Sequence, residues 1–189
     1  MRLFAAVEIG GDTRAELARL RREVEARLRA SRRAPRVTWV DPGRAHLTLR
    51  FIGEADPPLA ARVQDALAAP FTEPAFTVTW DGLGTFGASR APRVIWMGCR
   101  EGGAALEALA ADVGRRLAGA GVPPDARAFR PHLTLARVRE PGLGVPWSDA
   151  LASVDVRPTR SRVDEVVLVE SRLSPRGPSY TAVLRTPLA

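Results

Sequence analysis

An α+β fold with antiparallel sheets is predicted, and three observations predict it. Apolar runs of about 5–8 residues with strand-like alternation are interspersed with two long amphipathic stretches of helical period. The C-terminal third reads strand after strand, which a strictly alternating, doubly wound sheet does not allow. The tetrapeptide His-Leu-Thr-Leu occurs at His46 and again at His132, 86 positions later, each copy preceded by a strand and a long helix. The duplication gives two halves built alike, whose motif strands can face each other across one cavity.

The elements follow in order. A first strand over 3–9 stops at Gly10-Gly11. Asp12 or Thr13 caps a helix to about residue 30, with Leu17, Leu20, Val24 and Leu28 on one stripe. Its Arg19, Arg21, Arg22, Arg27 and Arg29 are interleaved with Glu16, Glu23 and Glu25, the pattern of a solvated face. After the break Ser31-Arg32-Arg33-Ala34-Pro35 come a short strand over 36–40 and a turn at Asp41-Pro42-Gly43. The strand over 45–52 carries the first His motif and ends at Gly53. Pro57-Pro58 starts a helix that buries Leu59, Val63 and Leu67.

A strand over 76–80 leads to a flexible loop marked by Gly82, Gly84 and Gly87 and containing Phe86, Ser89 and Arg90. Residues 94–97 form a buried strand. The second long helix follows Gly102-Gly103, buries Leu106, Leu109, Val113 and Leu117, and ends near Gly119-Ala120-Gly121. The second His motif lies on a strand over 132–138. A Pro/Gly-rich loop, a helical turn near 149–152 and strands over 163–170 and 180–185 complete the chain. The last two are joined by a long connection, Ser174-Pro175-Arg176-Gly177-Pro178.

The 189 residues suit one domain of two lobes spanning 1–189. With 46% hydrophobic and 26% charged residues, the composition is that of a soluble globular protein. No apolar run approaches the ~18–20 residues of a membrane span, and Glu8 interrupts the N-terminus too early for a signal peptide. A cytoplasmic protein without membrane association is expected. The lone Cys99 leaves no disulfide framework and no multi-cysteine zinc site. The formal charge is +7 and every basic residue is Arg, which suits a polyanion such as RNA; a GC-rich coding bias explains the same composition.

Chemistry concentrates in the repeated tetrapeptide, which holds the only two histidines. Chance places a Leu-Thr-Leu tail after both with odds of about one in a thousand. In a strand, His and Thr share one face roughly 7 Å apart while the two Leu share the other. The Leu face packs into a core, and the His/Thr face lines a cavity. Two histidines without a cluster of Asp, Glu or Cys fall short of a zinc site, and Asp41 is accounted for by its turn, so no metal is expected. Imidazole titrates near pH 6.5, so one copy can serve as acid and the other as base, while Thr hydroxyls and a guanidinium hold an anion. No strong covalent nucleophile and no nucleotide-phosphate loop is present. The kit suits a phosphodiester that is already activated, such as a strained cyclic phosphate.

His46-Leu47-Thr48-Leu49 and His132-Leu133-Thr134-Leu135 resemble the paired His-x-Thr-x motifs of the 2H phosphoesterase superfamily. Trp39-Val40, Pro42, Arg50-Phe51-Ile52-Gly53, Phe86-Gly87 and Pro131 through Arg137 narrow the likeness. They resemble the RNA 2′,3′-cyclic phosphodiesterases of the LigT type, historically called 2′-5′ RNA ligases. The resemblance implies a bilobal, pseudo-twofold α+β fold with helices packed outside its sheets and the two motif strands lining a central cleft. It implies metal- and cofactor-free hydrolysis of 2′,3′-cyclic phosphate RNA ends, tRNA fragments among them, to a 2′-phosphate, with reversible 2′-5′ ligation as a companion activity. It implies a monomer, with His46 as proton donor, His132 as proton acceptor, and Thr48 and Thr134 as phosphate ligands. Arg137 matches the family arginine five positions after the second His. In an ideal strand that odd spacing puts it on the face opposite His132, so a bulge must turn it inward. Arg130, on the His132 face by parity, is the second candidate. Two other readings stay open: a phosphoesterase of a small cyclic nucleotide or a 2′-5′ oligonucleotide, and a non-catalytic RNA-binding module.

Overall fold

Among the described residues, two antiparallel sheets, each with two helices packed on one face, make up the molecule. The computed structural model describes residues 1–31, 33–174 and 177–189. Arg32 of the break at 31–35, and Pro175 and Arg176 of the connection at 174–178, lie outside the described residues. The first sheet contains β1 (Arg2–Glu8), β3 (His46–Glu54), β8 (Glu165–Ser174) and β9 (Gly177–Pro187), in the order β3-β1-β8-β9. The second contains β2 (Arg36–Trp39), β4 (Phe76–Ala88), β5 (Ala91–Glu101), β6 (His132–Glu140) and β7 (Thr159–Val163), in the order β2-β6-β5-β4-β7. Every ladder is antiparallel.

The helices are α1 (Gly11–Arg29), α2 (Pro57–Ala68), α3 (Gly103–Gly119) and α4 (Trp147–Ala152). Each long helix buries the stripe its period dictates: Leu17, Leu20, Val24 and Leu28 in α1, and Leu106, Leu109, Val113 and Leu117 in α3. At roughly 1.5–3 kcal/mol per fully buried aliphatic side chain, these stripes hold the layers together. The chain exchanges partners as it goes. α1 follows a strand of the first sheet but packs on β7 of the second, whereas α3 follows β5 and packs on β3 of the first. Both sheets therefore share one continuous hydrophobic core. Among the described residues no helix is long and apolar enough to cross a membrane.

Three arginines of α1 are paired along its surface, Arg19 with Glu16 and Glu23, Arg27 with Glu23, and Arg29 with Glu25. Three expectations need correction. The cap of α1 is Gly10, not Asp12 or Thr13; Thr13 is buried and reaches the hydroxyls of Thr159 and Ser161, each at 3.0 Å. Gly82 and Gly87 do not open a loop. They occupy register shifts inside the unbroken strand β4, with φ of 71° and 111°, values that a residue with a Cβ rarely adopts. Finally, residues 159–163 form a separate edge strand, β7. Its Ser161 is buried because its Oγ accepts from the Gly10 N–H at 3.0 Å and the Trp80 indole N–H at 3.1 Å.

Candidate active site

The helix-free faces of the two sheets meet where β3 and β6 run beside each other, and each strand brings one His-Leu-Thr-Leu copy to that junction. The alternation works as the period of two requires. Leu47, Leu49, Leu133 and Leu135 are at most 5% exposed, while His46, Thr48, His132 and Thr134 are half-buried on the opposite face.

Both strands then break that alternation at the same place. On β3, Thr48 pairs with Ala6 and Arg50 with Ala5, so Leu49 is an extra residue. On β6, Thr134 pairs with Trp96 and Ala136 with Ile95, so Leu135 is the extra one, its carbonyl accepting from the Val40 N–H at 3.0 Å. After each bulge the parity of the strand is inverted. Leu135 and Ala136 are consecutively buried, and Arg137 emerges on the His132 face. In β3 the corresponding position is Phe51, which is 51% exposed.

The two imidazoles are held alike. His46 Nδ1–H donates to the Arg44 carbonyl at 2.9 Å, and His132 Nδ1–H donates to the Arg130 carbonyl at 2.6 Å. A carbonyl oxygen has no proton to give, so each contact assigns the Nδ1 proton and leaves Nε2 without a hydrogen-bond partner among the described residues. Arg130 itself precedes β6, where strand parity does not apply, and its backbone carbonyl accepts from His132 Nδ1. Neither Thr48 nor Thr134 has a side-chain hydrogen-bond partner, and Arg137 has no ion pair, among the described residues. No group of three or more His, Cys, Asp or Glu able to hold a metal comes together among them either.

Burial is the largest influence on both histidines and lowers each pKa below the ordinary value. Their charged neighbours differ. Arg137 pushes His132 further down, favouring its neutral form. His46 feels Arg14 in the same direction but also Glu8, its cross-strand partner on β1, which favours its charged form.

The sequence profile of the 2′-5′ RNA ligase superfamily matches residues 12–174. The chain belongs to that family. It is 36% identical over 160 residues to an RNA 2′,3′-cyclic phosphodiesterase of Geobacillus stearothermophilus, covering 84% of this chain and 50% of that protein. The chain thus spans half the length of the Geobacillus relative. A protein of the same name from Archaeoglobus fulgidus is 31% identical over 186 residues, covering 95% and 96% of the two chains. Among solved structures, Escherichia coli LigT complexed with 3′-AMP is 28% identical with a TM-score of 0.73, covering 100% of this chain and 98% of that one.

This member of the 2′-5′ RNA ligase superfamily surrounds its histidines with aromatic rings that sequence reasoning did not assign to the site. The Phe4 ring stacks on His46 at 4.8 Å, and Tyr180 meets His46 edge-on at 5.2 Å. On the other side Phe86 meets His132 edge-on at 4.8 Å and leans on Trp96 at 5.3 Å. Trp96 packs against Gly84, where a Cβ would come within 2.3 Å of its ring. These walls displace water from the imidazoles, which is the physical source of their lowered pKa values. Strand parity relative to Leu3, Ala5 and Val7 places Phe4 on the cleft side; its burial on that side made it indistinguishable from core in the sequence.

Proposed function

We propose that the cleft hydrolyses RNA 2′,3′-cyclic phosphate ends to 2′-phosphates by metal-independent acid–base catalysis, within a single domain whose lobes are the two sheets. Cyclic phosphodiesterase activity rests on the curated relatives; the assignment of roles rests on the two imidazoles, each with Nδ1 tied to a carbonyl and Nε2 available. In this reading, His132 Nε2 takes a proton from the water that attacks phosphorus. A new P–O bond forms to that water, and the P–O3′ bond opposite it breaks. His46 Nε2–H gives its proton to the departing 3′ oxygen, and the 2′-phosphate remains. Thr48, Thr134 and Arg137 hold the non-bridging oxygens, whose charge grows in the transition state. A general acid or base of this kind contributes about 10²–10⁴-fold.

The test is incubation of an oligonucleotide ending in a 2′,3′-cyclic phosphate with the protein in EDTA, mapping the phosphate of the product. Ring opening to a 2′-phosphate is expected. Turnover lost in EDTA and restored by a divalent cation, or a 3′-phosphate product, defeats the reading.

A further inference from the structure

β6 runs from His132 in the cleft to the far end of the second sheet, and the bulge at Leu135 gives that run an unusual face. Because parity is inverted there, Arg137 shares the side of His132. Arg139, the extra residue of a second irregularity between Val138 and Glu140, reaches toward the same side. Arg139 is exposed, and its Nε–H donates to the Thr38 hydroxyl at 3.2 Å, on the residue of β2 that pairs directly with Arg137. On the other flank, Val94 of β5 also pairs with Arg137. The antiparallel run of β5 therefore brings the hairpin turn Ser89-Arg90 and the irregular step at Arg93 to this end of the sheet, both arginines exposed. The acidic residue here, Glu140, is engaged by Arg36 at 3.1 Å. Arg90, Arg93, Arg137 and Arg139 have no carboxylate partner among the described residues, in contrast to Arg19, Arg27 and Arg29 of α1. Phe86, paired with Val94, offers a ring beside the row.

A row of uncommitted guanidiniums beside an aromatic ring is the composition of a single-strand nucleic-acid groove. At a 2′,3′-cyclic end the remaining RNA lies wholly on the 5′ side, so it needs one track leading out of the cleft. We propose that this end of the second sheet binds the single-stranded RNA immediately 5′ of the cyclic phosphate, with Arg139, Arg90 and Arg93 contacting successive backbone phosphates. The proposal rests on the RNA-end reading of the cleft.

The test compares a cyclic mononucleotide with a pentanucleotide carrying the same 2′,3′-cyclic end, in wild type and in Arg90→Gln/Arg93→Gln/Arg139→Gln. The pentanucleotide KM, divided by the mononucleotide KM, rises about tenfold or more in the triple variant. The slope of log affinity against log salt falls by about 0.7 per lost contact, close to 2 in total. Arg139→Lys, which keeps the charge, retains most of that slope. An unchanged KM ratio overturns the proposal. Failure of the wild type to open either cyclic phosphate sinks the catalytic reading instead. In that case fluorescence anisotropy of the labelled pentanucleotide decides the surface: weaker binding by the triple variant upholds it, and equal affinity overturns it.

Discussion

Gly84→Ala is the most telling single perturbation of the catalytic floor, although Gly84 touches no histidine. The added Cβ would sit 2.3 Å from Cη2 and Cζ2 of Trp96. Carbon atoms rest at ~3.5–4.0 Å, so the indole must retreat by roughly 1.2 Å or more. It cannot do so alone, because its ring leans on Phe86 at 5.3 Å and Phe86 leans on His132 at 4.8 Å, while Trp96 pairs across the ladder with Thr134. Overpacking of this kind costs about 1–3 kcal/mol, or roughly 2–12 °C in Tm for a chain of this size. A displacement near 1 Å at a catalytic group costs about 10²-fold in rate. Steady-state kcat/KM on a 2′,3′-cyclic mononucleotide and a thermal melt are the assays, and both should fall. Trp96→Phe in the Gly84→Ala background relieves the clash and recovers Tm. Gly114→Ala, in α3 with nothing within 4 Å of its Cβ, is the control and should be neutral or stabilising by about 0.5–1 kcal/mol. Wild-type kcat/KM and Tm in Gly84→Ala refute the idea that the tryptophan seat sets the position of His132.

Other consequences can be measured on the same preparations. His46→Ala and His132→Ala should each lower kcat/KM about 10²–10⁴-fold while melting cooperatively, and the double variant should lose far less than the product of the two; a single variant with an intact rate sinks the two-histidine scheme. Thr48→Val or Thr134→Val deletes a donor but keeps the branched shape, and should cost about 1.5–3 kcal/mol of transition-state binding, read from kcat/KM. Folding should also respond to pH. Burial lowers both histidine pKa values below the ordinary 6.5, so the unfolded chain binds more protons as pH falls. This contribution to stability is fully present above about pH 6.5 and is lost as pH drops below it toward the folded values. Tm measured from pH 7.5 to 5 should show that decline in wild type and less of it in His46→Gln/His132→Gln.

How much of this was legible in the sequence depends on what each residue had to signal. The stripes of α1 and α3 and the Leu faces of both motif strands follow from period alone, because those residues are buried for being apolar. Ser161 is buried for the opposite reason, as an acceptor shared by Gly10 and Trp80, and no hydropathy pattern announces that. The glycines of β4 read as loop because positive φ is common to loops and bulges; the ladder across β5, not the local sequence, decides between them. The face of Arg137 was undecidable for the same reason: an extra residue at Leu135 is visible only once its partner strand is known. The aromatic rings around the histidines escaped because rings that wall a cleft and rings that fill a core have the same hydrophobicity.

The matched bulges have a consequence for direction. Two imidazoles and two hydroxyls related by a pseudo-twofold axis would receive a phosphate equally well in either of two opposed orientations. The residues brought round by the bulges, each five positions after its histidine, differ in kind: Phe51 on one strand, Arg137 on the other. On the proposed mechanism, a phosphoryl oxygen would gain a charge-assisted hydrogen bond of about 1.5–3 kcal/mol only at the Arg137 end, a preference of roughly 10- to 100-fold. On that reading a near-symmetric floor acquires a head and a tail, and with them a division of labour between its two histidines.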